Sequence, residues 1–107
     1  TTGDNAYRSG SNQQFQDTFF EPYKNILKNI PVWPAYGNHD ARRWAFFDIF
    51  TFPENAESGG IASGTENYYS FDYGNIHFVF LDSQSSDLDS DADMAKWLVD
   101  DLNANKQ

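Results

Sequence analysis

Two polar loops, Gly3-Asp4-Asn5-Ala6-Tyr7 and Gly37-Asn38-His39-Asp40, constrain this chain more than any other feature. Each stands where a run that reads as a buried strand gives way to loop. The first offers a carboxylate and a phenol, the second a carboxamide and an imidazole. Such oxygen and nitrogen donors suit hard to borderline metal ions, and in a chain without cysteine no thiolate competes for them. Placed at the ends of adjacent parallel strands, the two loops would bring all four side chains to one edge of a sheet, where α/β proteins put their active sites.

The segments around these loops read as alternating helix and strand. From Asn12 to Asn29, Phe15, Phe19, Tyr23, Ile26, Leu27 and Ile30 recur at three- and four-residue steps, which predicts a helix with one apolar stripe. Pro22 should kink that helix or start a second one. Pro31 ends it, and Val32 to Tyr36 reads as a short strand. A further helix is expected from about Arg42 to Phe50, with Trp44, Phe47 and either Phe46 or Phe50 inward. Pro53 to Glu66 is rich in Gly, Ser, Asn and Glu and reads as a loop above the usual length, functional or simply mobile. Asn67 to Tyr73 and Ile76 to Leu81 are β-rich runs separated by Gly74-Asn75, a hairpin signal. A last helix is expected from near Ser90 or Asp91, where acids suit the positive end of the helix dipole, with Met94, Trp97, Leu98 and Leu102 buried. The fold class is α/β, in a single domain without internal repeats.

Composition narrows the partners. A chain of 107 residues with 18 % aromatics has enough large rings to build a core. No run approaches the ~20 apolar residues of a membrane span. The formal charge of −9 argues against nucleic acid and against an anionic membrane, since both need a basic face. The same acidity opposes an anionic phosphate ester as substrate, unless bound cations reverse the local field.

In order, spacing and flanking residues, the motifs resemble those of the calcineurin-like metallophosphoesterases, and within them the purple acid phosphatases. That family reads Gly-Asp-x-x-Tyr, a helix, then a strand ending in Gly-Asn-His-Asp or Gly-Asn-His-Glu. Here Gly3-Asp4 and Tyr7 precede the helical pattern, and Val32 to Tyr36 leads into Gly37-Asn38-His39-Asp40. The stretch from Tyr68 to Asp82 is similar to the family's next strand pair. The resemblance implies part of a four-layer α/β/β/α sandwich and hydrolysis of small phosphate monoesters by two metal ions, Fe(III) with Zn, Mn or Fe(II). It implies Asp4 as the carboxylate that bridges the ions, ~4 Å apart in two-metal hydrolysis. Tyr7 would be the phenolate on the ferric ion and Asn38 a neutral oxygen ligand on the second. His39 would be catalytic, facing the substrate and protonating the leaving group.

Other polar residues carry plainer readings. Asp40 is expected to cap the following helix, with orientation of His39 as the lesser option. His77, alternating with apolar strand residues, is assigned to packing. Arg42 and Arg43 read as surface residues near a helix start, with contact to a substrate anion the lesser option. The family places no ligand at Asp82. The acidic run from Asp87 to Asp93 lacks the Gly and terminal Glu of an EF-hand and reads as a solvated helix entry.

The family site also needs an Asp-x-Gly or Asp-x-His motif ahead of the Gly-Asp loop and a Gly-His-x-His motif after the last helix, and this sequence carries neither in that place. Residues 1–107 are therefore expected to form the middle portion of a longer catalytic domain, holding about half the metal ligands and inactive in isolation. Alternatives are phosphodiester or nucleotide hydrolysis at the same site, or a non-catalytic interaction fragment. Family habit suggests an extracellular or periplasmic setting.

Overall fold

Ser11 opens the first helical stretch. Its hydroxyl accepts from the Gln14 backbone N–H at 3.3 Å while the Gln14 side chain accepts from the Ser11 N–H, so two donors that a helix start leaves unpaired are satisfied together. The computed structural model describes residues 1–105. From this cap run α1 (Asn12–Phe15), a π-helical stretch (Gln16–Phe20) and α2 (Glu21–Leu27) without a break. Pro22 is the second residue of α2 and has no N–H to donate to the turn before it, which is the π-helical stretch. The expected interruption thus takes the form of a π stretch just ahead of the proline.

The chain divides into two units, Thr1–Phe50 and the remainder from Thr51. In the first, Phe15 and Phe19 pack edge-on against Phe50, with ring centroids 5.8 Å apart in both pairs. Phe46 closes the cluster against Phe15, Tyr36 and Phe50. The predicted stripe is buried only along its first half: Tyr23, Ile26 and Ile30 are exposed, and no residue of α2 is buried. Tyr23 and Ile26 line an open groove of about 540 Å³ that also reaches Asp4 and Tyr7.

Two further expectations need correction in this unit. Val32 to Tyr36 is extended but forms no strand ladder. Pro34 has no N–H to give a ladder; beside it the Ala35 N–H donates to the Thr1 carbonyl (3.1 Å) and the Thr1 amine to the Trp33 carbonyl (3.3 Å). The second helix is shorter than expected, a 3₁₀ turn at Asp40–Arg42 followed by α3 (Ala45–Ile49). Trp44, predicted to face inward, is 84 % exposed because it lies before the first turn of α3, whose buried face is Ala45 and Phe46.

The second unit is a hairpin with a helix. β1 (Tyr69–Tyr73) and β2 (Ile76–Phe80) pair antiparallel, Tyr69 opposite Phe80 and Tyr73 opposite Ile76, across Gly74-Asn75 as the sequence predicts. Aromatic cross-strand pairs stabilise it, with Phe71 stacked on Phe78 and Tyr69 on Phe80. α4 (Asp93–Ala104) buries Met94 and Trp97 beside Tyr68, but Leu102, assigned to its buried stripe, is exposed. The inward position next to it is held by Asp101. The loop ahead of β1 is laced to its surroundings: the Trp97 indole N–H donates to the Ile61 carbonyl (2.9 Å) and the Ile61 N–H to Asp101 (2.8 Å).

His77 does not pack as an apolar strand residue. Its Nδ1 meets Asp72 and its Nε2 meets Asp101, both at 2.7 Å, with the side chain only 6 % exposed. A buried imidazole between two carboxylates is an ionic link joining β1, β2 and α4. Among the described residues no helix is long and apolar enough to cross a membrane.

Candidate metal centre

The first polar loop bends sharply at its start. Gly3 has φ = 100° and Asp4 φ = 52°, the left-handed region that asparagine and aspartate tolerate better than most side chains. This conformation lays the loop against the second one. A Cβ on Gly37 would collide with the backbone nitrogen and carboxylate of Asp4, and would come within 2.9 Å of its Cα. Only a residue without a side chain lets the loops approach this closely. Gly37→Ala should therefore cost about 1–3 kcal/mol, toward the upper end because the colliding atoms are backbone. A thermal unfolding curve unchanged by this substitution would contradict the packing described.

Across that contact, three oxygen-bearing side chains converge. The Asp4 carboxylate accepts from the His39 backbone N–H at 2.9 Å and lies 3.4 Å from the Tyr7 hydroxyl. The Asn38 carboxamide reaches both Asp4 oxygens at 3.2–3.3 Å. With its NH₂ turned toward Asp4 the amide donates to the carboxylate. Turned over, its carbonyl oxygen faces the carboxylate directly, an arrangement that a cation between them stabilises. Asp4, Asn38 and Tyr7 thus fit a partial oxygen shell for a hard cation. Among the described residues no three His, Cys, Asp or Glu side chains form a complete cage.

Tyr7 is half-exposed, and its pKa is raised above that of a free phenol, by partial desolvation and then by the neighbouring Asp4 charge. Alone it stays a phenol, and a bound cation would have to supply the field that holds it as phenolate. Its ring lies against His39, with centroids 4.5 Å apart. His39 Nδ1 is 2.7 Å from the Arg8 carbonyl. A carbonyl only accepts, so Nδ1 carries the proton and Nε2 is the atom that gains or gives one.

Sequence reasoning missed the supports of this site. Arg42, read as a surface arginine, donates to the same Arg8 carbonyl at 3.0 Å and so braces the acceptor that orients His39. Asp40 is neither a helix cap nor a partner of His39. It is fully buried, and its carboxylate accepts from the backbone N–H groups of Asn5, Ala6 and Gly37 and from the Asn5 side chain. Backbone donors leave no trace in a sequence pattern; the acid that closes the second motif was the one available signal. Asp82 is also fully buried, where it accepts from the Gln84 and Ser85 N–H groups and the Ser86 hydroxyl and closes a turn.

Comparison with known proteins bears on the same motifs. The sequence profile of calcineurin-like phosphoesterases matches residues 1–107. Purple acid phosphatase 15 of Arabidopsis thaliana is 35 % identical over 86 residues, covering 74 % of this chain and 15 % of its own length. Purple acid phosphatase 13 of the same plant is 32 % identical over 109 aligned positions, covering 91 % of this chain and 18 % of its own. The chain thus spans less than a fifth of the curated relatives it matches. No solved structure matches it.

Proposed function

Since the chain belongs to the calcineurin-like phosphoesterase family, we propose that it is part of a longer catalytic domain that hydrolyses small phosphate monoesters at a two-metal centre. The observation that carries this reading is the convergence of Asp4, Asn38 and Tyr7 on one point beside His39. The missing ligands would come from outside these 107 residues, and the isolated chain is expected to be inactive.

When bound, the ions supply an activated water and neutralise the charge that develops on the phosphoryl group. Asp4 would be the carboxylate that holds the two ions together. Asn38 would bind the second without adding charge, which leaves it electrophilic toward a phosphoryl oxygen. Tyr7 would bind the ferric ion. The Arg8 carbonyl keeps the His39 Nδ1 proton in place, so protonated His39 offers its Nε2 proton to the leaving oxygen as the P–O bond breaks. Iron with zinc, manganese or a second iron is the metal pair that purple acid phosphatase resemblance supports. Phosphodiester hydrolysis is the second reading, because the same donors serve either ester.

Tyr7→Phe in the full-length enzyme tests the assignment. It removes one oxygen from a half-exposed ring, so the fold should persist while any visible charge-transfer band disappears. Colour surviving in the variant would move the ferric ligand elsewhere and overturn the purple acid phosphatase reading.

A further inference from the structure

We propose that Asp40 is a positioning residue for the metal centre, its buried carboxylate fixing the separation of the two ligand loops. This rests on the two-metal reading above. Asp40 Oδ1 accepts from the Asn5 and Ala6 backbone N–H groups at 2.9 and 3.0 Å. Its Oδ2 accepts from Asn5 Nδ2 at 2.9 Å and from the Asn5 and Gly37 N–H groups at 3.2 Å. Asn5 and Ala6 follow Asp4 and precede Tyr7, while Gly37 precedes Asn38. One carboxylate therefore grips the backbone immediately beside three proposed ligands.

The grip differs in kind from the other link between the loops. The bond from the His39 N–H ends on an Asp4 oxygen, an atom that a cation would also claim. None of the Asp40 bonds uses a ligand oxygen, so all of them persist when the ligands turn toward metal. The site also demands a carboxylate. Four N–H donors converge on two acceptor oxygens, and an asparagine would present its NH₂ to donors on at least one side. In either amide orientation, part of the grip becomes a clash of donors. Partners that orient metal ligands in this way typically change metal affinity or activity ~10–100-fold when replaced.

The test uses the full-length enzyme as wild type, Asp40→Asn, the milder Asn5→Ala, and Phe46→Leu as a core change in the same unit. Zinc retention is read by chelator competition on the folded protein, beside thermal unfolding and kcat. Asp40→Asn is expected to weaken zinc retention ~10–100-fold, and Asn5→Ala less, in the same direction. Phe46→Leu should lower thermal stability yet keep wild-type retention. If Asp40→Asn does not fold, Asn5→Ala carries the test: weakened retention supports the role and wild-type retention overturns it. Wild-type retention in Asp40→Asn, or an equal loss in Phe46→Leu, overturns the positioning role and leaves the two-metal reading standing. A wild-type enzyme that retains no metal overturns that reading itself.

Discussion

His39→Ala in the full-length enzyme should lower kcat by ~10²–10⁴-fold, the usual worth of general acid assistance, while both ions stay bound. The reasoning starts from which atoms the ring uses. Nδ1 is committed to the Arg8 carbonyl, and the ring leans on Tyr7, so neither contact supplies a metal ligand. The His39 main chain, which does touch Asp4, keeps its N–H in the variant. The loss should be greatest for alkyl phosphates, whose poor leaving oxygen needs a proton, and smaller for activated aryl phosphates. Kinetics on one substrate of each kind, beside elemental analysis, decides the matter. Metal lost in proportion to activity would make His39 a ligand or a prop, and an equal fall on both substrates would remove its role as acid.

The grouping of the candidate side chains was legible in this sequence where it is local. Asp4 with Tyr7, and Asn38 with His39, announce themselves because each pair sits in one short loop. The structure brings these four side chains to one place. The hairpin was legible for the same reason, since Gly74-Asn75 fixes the turn within two residues. What stayed hidden depends on partners distant in sequence. Asp40 bonds N–H groups some 35 residues upstream, and a backbone donor carries no residue-type signature. Trp44, Leu102 and the second half of the first helical stripe show another limit. Periodicity finds the apolar face of a helix but not whether anything covers it. Val32 to Tyr36 has strand composition without a ladder, because pairing needs both donors and a partner strand.

His77 is the case where a distant partner reverses the meaning of a residue, and it leads to a pH effect of definite sign. Burial alone would lower the imidazole pKa, but hydrogen bonds to Asp72 and Asp101, and their charges, outweigh burial and raise it. Protonated His77 donates to both carboxylates; the neutral ring has one N–H and presents a lone pair to the other. The folded state therefore holds this proton more tightly than the unfolded chain does. The stabilisation is fully present below the unfolded value of ~6.5 and is lost as pH rises through the higher folded value. Asp101 is the other half of the link. It is fully buried and also accepts from the Ile61 N–H and the Ser70 hydroxyl at 2.8 Å. Asp101→Ala should destabilise this unit by about 3–5 kcal/mol, as removal of one partner from a buried ionic pair does. His77→Gln should instead flatten the decline in stability above pH ~6.5. Hydrogen exchange at the Ile61 amide and across β1 and β2, followed from pH 6 to 9, separates the two effects. If exchange, corrected for its intrinsic pH dependence, rises equally with pH in wild type and His77→Gln, the proton on His77 is not what ties α4 to the hairpin.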